Sequence, residues 1–300
     1  MANLEEIITS KNESDTQWKT QQQADRDSVT EMQDQGIEMI VSDPDQYIRY
    51  LTMQGDNPTY SAGNVAIVLA GMRDATIFGT RDRWQTLGRT VMMDEQDQGV
   101  KIFARDARTK AYALADAYDI SQTQGRDLKQ KILREDTPDM ATALKTLLNY
   151  SKAEPVVDKE MDAAAFFDEE KRELAVNPDF SDQEAFASIA AEVALTRFHD
   201  KGYNREYSWA RYELDAQSVS YILCRRYGIE PVQPNMERLR ERFVGMSTDE
   251  CRTVYRRPHA GHGQHPGWGV RLWHLHPERI RHPQLPQPLR GRRVSGAKIH

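Results

Sequence analysis

Glu192 lies within a predicted helix at the position where a zinc-dependent hydrolase carries its general base. In such enzymes two histidines at i and i+4 of one helix bind the metal, and the glutamate between them activates a water molecule. An acidic residue on a later helix completes the ligands. Here the two histidine positions hold Ala191 and Leu195, whose side chains have no lone pair to donate. Glu213, on the next predicted helix, stands where the third ligand belongs.

His199 is the one histidine before the C-terminal fifty residues. It follows Glu192 by two helical turns, which separates the two side chains by roughly 10 Å, too far for both to bind one ion at about 2 Å. We therefore expect Glu192 to be a solvated or hydrogen-bonded acid and His199 a cation at the helix C-terminus. These residues predict no bound cofactor and no catalysis. The alternative is a zinc-dependent, metallopeptidase-like hydrolase with unusual ligands, namely Glu192 and Glu213 with His199 or a later histidine.

Two predicted helices must position these side chains. The first begins at Ser181, where Glu184 three residues later completes a capping box, and is expected to end before Gly202. The second runs from about Trp209 to Tyr227 and ends at Gly228. Apolar residues recur at helical spacing in both, so each helix is expected to bury one face.

The charge of the chain is divided between a long acidic part and a short basic part. The whole carries a net charge of -6, but residues 1–250 have 30 basic against 45 acidic groups, while the remainder has ten basic groups and one acidic group. Seven of the eight histidines also lie in that remainder.

Two cysteines make no disulfide framework, no apolar run is long enough to span a membrane, and residues 1–13 have no signal-peptide core. We expect a cytoplasmic protein that does not contact membranes.

The order of the remaining patterns indicates an α+β fold, with a small sheet packed against helices in the first half and a mostly helical second half with a β-hairpin. Residues 1–27 are polar and are expected to be disordered or loosely helical. Helices are predicted for residues 28–41, from 44 to 55, from 61 onward, from 138 onward and for 236–243. Strands are predicted for residues 77–79, 91–93, 100–104, 112–120, 163–167 and 173–176, with 91–93 and 100–104 joined by the loop 94–99.

Several short motifs occur together in the first half. They are Tyr60-Ser61-Ala62-Gly63-Asn64, Phe78-Gly79-Thr80, Trp84-Gln85-Thr86-Leu87-Gly88-Arg89-Thr90-Val91, Gly99-Val100-Lys101-Ile102-Phe103 and Tyr118-Asp119-Ile120-Ser121-Gln122-Thr123. In this order and spacing they resemble the N-terminal domain of ArdC-type antirestriction proteins and the related LtrC-like proteins of mobile elements. His199-Asp200-Lys201-Gly202-Tyr203-Asn204 and Asp215-Ala216-Gln217-Ser218-Val219-Ser220-Tyr221 resemble the LtrC-like branch.

The resemblance covers residues 28–245 and implies a domain organisation. It implies a single-stranded-DNA-binding domain at 28–125, a helix and linker at 126–160, and a degenerate zincin-like domain at 161–245. A polar leader (1–27) and a basic tail rich in His, Pro and Gly (246–300) flank them. It further implies an accessory protein of a plasmid or conjugative element that protects incoming DNA from restriction. Restriction or conjugation proteins are implied as further partners. This chain departs from the family at Ala191 and Leu195, and in its acidic loop 94–98, which is often basic in the family.

Arg81, Arg83, Trp84, Arg89 and Lys101 are the candidate DNA-binding residues, and the motif residue Asn64 is a sixth. Residues 72–110 hold eight basic against six acidic groups, a weakly basic island in an acidic chain. Single strands bind in cationic grooves whose aromatic side chains stack on bases, and a tryptophan among arginines could supply both. In the alternative interpretation Trp84 belongs to the core and the arginines are a solvated face. Because the chain is acidic overall, binding should be weak and fall steeply with salt.

The residues after position 250 permit more than one interpretation. His259, His262 and His265 have spacings that could trap a metal, and Arg290-Gly291-Arg292-Arg293 could meet nucleic acid or an acidic surface. The segment is read as a disordered extension or as the product of a shifted reading frame. The excess of carboxylates before it also leaves open a third function, in which the protein imitates the DNA backbone as a decoy for a DNA-binding enzyme.

Overall fold

The computed structural model describes residues 3–105, 112–200 and 207–251. The helices in these ranges are α1 (Leu4–Ser42), α2 (Pro44–Asp56), α3 (Ala62–Gly71), α4 (Arg81–Thr86), α5 (Pro138–Tyr150), α6 (Asp182–His199), α7 (Trp209–Arg226) and α8 (Glu237–Phe243). The strands are β1 (Phe78–Thr80), β2 (Arg89–Val91), β3 (Val100–Arg105), β4 (Tyr112–Asp119), β5 (Thr123–Gly125), β6 (Glu154–Val157), β7 (Ala165–Asp168) and β8 (Glu173–Val176). The predicted α+β class is confirmed.

Three small sheets form among the described residues. Strands β1, β4 and β3 make an antiparallel sheet in that order, and β2 pairs with β5. The strands on either side of the loop 94–99, β2 and β3, therefore belong to different sheets. The predicted hairpin is present as β7 and β8, and β6 adds to β8 in parallel.

Helix α1 is continuous from Leu4 to Ser42, where a disordered or loosely helical leader was expected. The Asn3 side chain accepts a hydrogen bond from the Glu5 N–H and caps the helix. Further along, Lys11 and Asp15 pair across one turn at 2.6 Å, and similar i,i+4 contacts follow. The helix is exposed as far as residue 21 and packs only beyond that point. Polar pairs along the helix and its docked C-terminal half therefore stabilise a stretch with no apolar stripe.

Two apolar cores meet at α7. One joins α1, α2, α3 and the β1-β4-β3 sheet to Leu214 and Ile222 of α7 and to α8. The other joins α5, α6 and the β6-β8-β7 sheet to Ala216, Val219 and Leu223 of α7. Trp209, the first residue of α7, is 45% exposed. In the described ranges, no helix combines the length and the apolarity that a bilayer span requires.

Candidate functional site

The helix that carries Glu192 begins as the sequence predicts. Ser181 and Glu184 form a capping box, with the Ser181 Oγ accepting from the Glu184 N–H and the Glu184 carboxylate accepting from the Ser181 N–H. Leu195 is buried and Ala191 half-buried. Both therefore serve as packing residues of α6, as the interpretation without a metal predicts.

Glu192 binds the backbone of the neighbouring sheet. Its Oε2 accepts a hydrogen bond of 2.9 Å from the Phe167 N–H of β7. One turn earlier on α6, the Ser188 Oγ donates to the Ala165 carbonyl of the same strand at 3.2 Å. Strand β7 lies at the edge of the β6-β8-β7 sheet, so these two side chains satisfy backbone groups that an adjacent strand would otherwise pair.

The buried position of the Glu192 carboxyl group changes its pKa. Burial raises its pKa from 4.5 to about 7, and the hydrogen bond from the Phe167 N–H opposes part of that shift. A carboxyl group that titrates near neutrality is suited to exchange protons with a substrate. The Glu192 carboxyl group could therefore act as a weak acid or a weak base.

His199 ends α6 within a group of aromatic rings. Its imidazole lies edge-on to Phe167, with ring centroids 5.4 Å apart, and to Tyr207 at 4.9 Å. Tyr207 stacks on Tyr212 at 5.8 Å. Burial raises the pKa of the Tyr207 phenol, and the carboxylates of Glu169 and Glu192 add to that rise. His199 is thus part of a cluster of aromatic rings formed by Phe167, Tyr207 and Tyr212.

Glu213, the other candidate ligand, is already paired. It is 7% exposed, and its Oε2 accepts a hydrogen bond of 2.9 Å from the Arg238 Nε. Asn235 and Gln217 approach its other oxygen at 3.4 Å. In the described part of the chain, no group of three His, Cys, Asp or Glu side chains is placed to hold a metal ion. The ligand set of Glu192, Glu213 and His199 is therefore not assembled, and the variant with a later histidine lies outside the described residues.

Trp84 belongs to the core, in agreement with the alternative interpretation of the sequence. Its side chain is completely buried, and its Nε1 donates to the Tyr118 carbonyl at 3.0 Å. With Val91 and Tyr118 it forms a small apolar cluster beneath α4. The ring has no exposed face on which a base could stack, so the expectation of stacking at Trp84 is corrected.

Arg89, on β2, binds to β5 and to the residue that follows it. Its Nε donates to the Thr123 Oγ1 at 2.8 Å, its Nη2 to the Thr123 carbonyl at 2.8 Å, and its Nη1 to the Arg126 carbonyl at 2.7 Å. Because these three donors bind backbone carbonyls and a hydroxyl of the protein itself, the guanidinium mainly stabilises the pairing of β2 with β5. Arg126 is exposed beside Arg89. The sequence did not indicate it as a candidate cation, because its position depends on these long-range contacts.

The other candidate cations differ in their surroundings. Arg81 is exposed but donates from its Nη2 to the Tyr118 hydroxyl at 2.9 Å. Arg83 is exposed on the same short helix. Lys101 lies 3.4 Å from the Asp116 carboxylate, with both side chains about half exposed at 48%, a pairing that solvent weakens. These three remain accessible to a ligand.

Asn64 joins α3 to β3. Its Nδ2 donates to the Phe103 carbonyl at 2.8 Å, and its Oδ1 accepts from the Phe103 N–H at 3.1 Å. Both ends of the amide are therefore used on one backbone residue, and the side chain is only 6% exposed. Asn64, a candidate for DNA contact in the sequence, therefore connects α3 to β3 in the structure.

A separate cavity of about 740 Å³ lies on the open face of the β6-β8-β7 sheet and does not include Glu192. The strand register places Glu154, Glu173 and Asp168 in one row across this sheet. Lys171 pairs with Asp168 at 3.1 Å. The face is thus acidic, with Phe166 exposed beside the row.

No family model and no curated protein matches this chain. Comparison with solved structures finds crystal structures of the antirestriction protein ArdC from plasmid R388. The Mn(II)-bound structure is 16% identical with a TM-score of 0.38, over 67% of this chain and 81% of that chain. The metal-free structure is 16% identical with a TM-score of 0.39, over 65% and 78%. Both structures are of the same protein, which is of the type that the motifs in the first half of this chain resemble.

Proposed function

We propose that this chain is an antirestriction-type accessory protein of a plasmid or conjugative element, which binds single-stranded DNA and catalyses no reaction. The motifs of the first half motivate the antirestriction role. The observation that carries the DNA-binding part is the arginine rim, formed by Arg81, Arg83 and Arg126, which are exposed around the small module that contains the buried Trp84.

The arginine rim is held in place by the core of its module. Trp84 directly follows Arg83 on α4 and is completely buried, whereas the side chains of Arg81 and Arg83 are exposed. Arg126 is held beside the α4–β2 turn, because its N–H donates to the Gly88 carbonyl at 3.1 Å. Guanidinium groups fixed on a rigid support lose little freedom when they bind phosphates. Asp82 and Asp127 lie next to the rim in sequence, so the local positive charge is small and binding should be weak and salt-sensitive.

The second half supports a binding role over a catalytic one. The side chains that a hydrolase would direct at a metal have other partners here, since Glu192 binds the β7 backbone and Glu213 binds Arg238. We assign this half a scaffold role. If the purified full chain held stoichiometric zinc that Glu213→Ala removed, the hydrolase would be the better assignment.

Fluorescence anisotropy of labelled single-stranded DNA tests the proposal, using the full chain at low and moderate salt. Arg83→Glu should weaken binding and reduce the slope of log K against log salt by about one. Lys145→Glu is the matched control, because Lys145 is exposed on α5 and undergoes the same change of charge. Equal binding by these two variants would contradict a role for the arginine rim.

The acidic row on the β6-β8-β7 sheet favours a second candidate, the decoy function. Three carboxylates in one cross-strand row repel each other, and a cationic partner would relieve that repulsion. A decoy should inhibit a restriction enzyme without binding DNA itself, and Glu173→Gln should reduce the inhibition. Inhibition that requires DNA binding by the chain would instead favour the first function.

A further inference from the structure

A cleft of about 360 Å³ lies between α1, α2 and α3, away from the residues that the sequence motifs single out. It is lined by Met39, Gln46, Arg49, Leu69, Ala70 and Arg73. Three of these six residues are apolar, and the charged groups are two arginines, one on α2 and one just after α3. The cleft therefore brings together two cations without a carboxylate among its lining residues.

Neither Arg49 nor Arg73 forms an ion pair within the part of the chain that the structure describes. Acidic groups outnumber basic ones by 45 to 30 over residues 1–250. In a chain with this excess of acids, two guanidinium groups in one cleft would be expected to have a carboxylate partner. Arg73 follows the C-terminus of α3, where a cation is favourable next to the terminal carbonyls. That explanation does not extend to Arg49, which is half-buried in the middle of α2.

Gln46 adds an independent observation. Its Oε1 is buried and has no hydrogen-bond partner. A buried amide oxygen without a donor destabilises the folded protein, and rotation of the Gln46 side chain would bring this oxygen to a ligand in the cleft that carries an N–H or O–H group. The lining thus offers donors for an anion and an acceptor for a second group of the same ligand.

We propose that this cleft binds a phosphate group, supplied by a nucleotide or by the backbone of a nucleic acid. Two guanidiniums can each present paired N–H donors to phosphate oxygens, and the Gln46 oxygen would accept from a hydroxyl or amino group of the attached nucleoside. The inference does not require DNA binding at the arginine rim, so either proposal can fail alone.

Isothermal titration calorimetry of the full chain with inorganic phosphate and with deoxyadenosine monophosphate tests the cleft. Arg49→Gln and Arg73→Gln should each weaken binding of deoxyadenosine monophosphate by about tenfold. Lys145→Gln, the matched control, should bind like the parent chain, and the basic residues after position 251 contribute equally in all of them. Arg49→Lys, which keeps the charge but not the planar fork, should bind between the parent and Arg49→Gln.

The source of the phosphate is decided by anisotropy with labelled single-stranded DNA. If the backbone of DNA is the ligand, both glutamine variants weaken DNA binding, and their effect adds to that of Arg83→Glu. If a free nucleotide is the ligand, the DNA curves stay unchanged while nucleotide binding is lost. Absent binding of both phosphate probes, or equal binding by parent, Arg49→Gln and Arg73→Gln, would overturn the inference.

Discussion

Replacing Glu192 with glutamine should stabilise the protein above neutral pH. Glutamine keeps a carbonyl oxygen that can accept the hydrogen bond from the Phe167 N–H, and its helix propensity is close to that of glutamate. The substitution removes only the ability to ionise. It therefore isolates the free energy that the folded protein loses when this buried carboxyl group becomes charged.

The sign follows from the direction of the shift. Burial raises the pKa of Glu192 from 4.5 to about 7, so between these values the folded chain holds a proton that the unfolded chain has released. Its stability therefore falls as pH rises through this window and is level, in this respect, above it. Each unit of pKa corresponds to 1.36 kcal/mol, so the contribution lost between pH 5 and pH 8 is about 2.5 kcal/mol.

Urea denaturation at pH 5 and at pH 8, followed by circular dichroism, measures the effect. The free energy of unfolding of Glu192→Gln, relative to that of the parent chain, should be about 2.5 kcal/mol higher at pH 8 than at pH 5. Glu154→Gln, which alters an exposed carboxylate on β6, controls for the change in net charge. If the parent and Glu192→Gln lose the same stability between the two pH values, the carboxyl group is not buried as described.

Three further substitutions test the packing that positions the candidate sites, each by urea denaturation at pH 7. Gly36→Ala should destabilise the chain by about 2 kcal/mol, because the added Cβ would overlap the α3 backbone; an unchanged midpoint would mean that α1 and α3 separate easily. Trp84→Phe should cost about 1–2 kcal/mol through loss of the hydrogen bond to the Tyr118 carbonyl and some packing, and a neutral result would place the ring outside the core. Glu213→Ala should cost about 2 kcal/mol because it removes the buried carboxylate that pairs with Arg238, which keeps only the exposed Glu241 as a partner; an increase in stability would show that the pair is strained.

Local signals in the sequence were sufficient for the helix that carries Glu192. A capping box specifies the start of α6 through contacts within four residues, and the hairpin of β7 and β8 follows from alternation around a short polar turn. Strand β6 gave no such signal, since it is four residues long, contains Pro155 and pairs in parallel with a strand almost twenty residues away. The full length of α1 was also missed, because its N-terminal half has no apolar face and is held by exposed polar pairs.

The roles of the candidate DNA-binding residues could not be read from their types. Arg89 and Trp84 find their partners 34 or more residues away, and nothing near them in sequence distinguishes an arginine that ties strands together from one that faces solvent. The same limit applies to Glu213, whose pairing with Arg238 depends on how α8 packs against α7. Residue type predicted which groups could do chemistry, whereas long-range packing decided which of them are free to do it.

Helix α7 connects the two halves more closely than a division of the sequence into domains suggests. Leu214 and Ile222 lie in the core that α7 and α8 share with residues before position 125, while Val219 lies in the core of the second half. Polar contacts reinforce the first of these interfaces, since the Arg225 guanidinium binds the Asp56 carboxylate at 3.0 Å. A second half without catalysis would therefore still be needed, because its helix completes the core that supports the first.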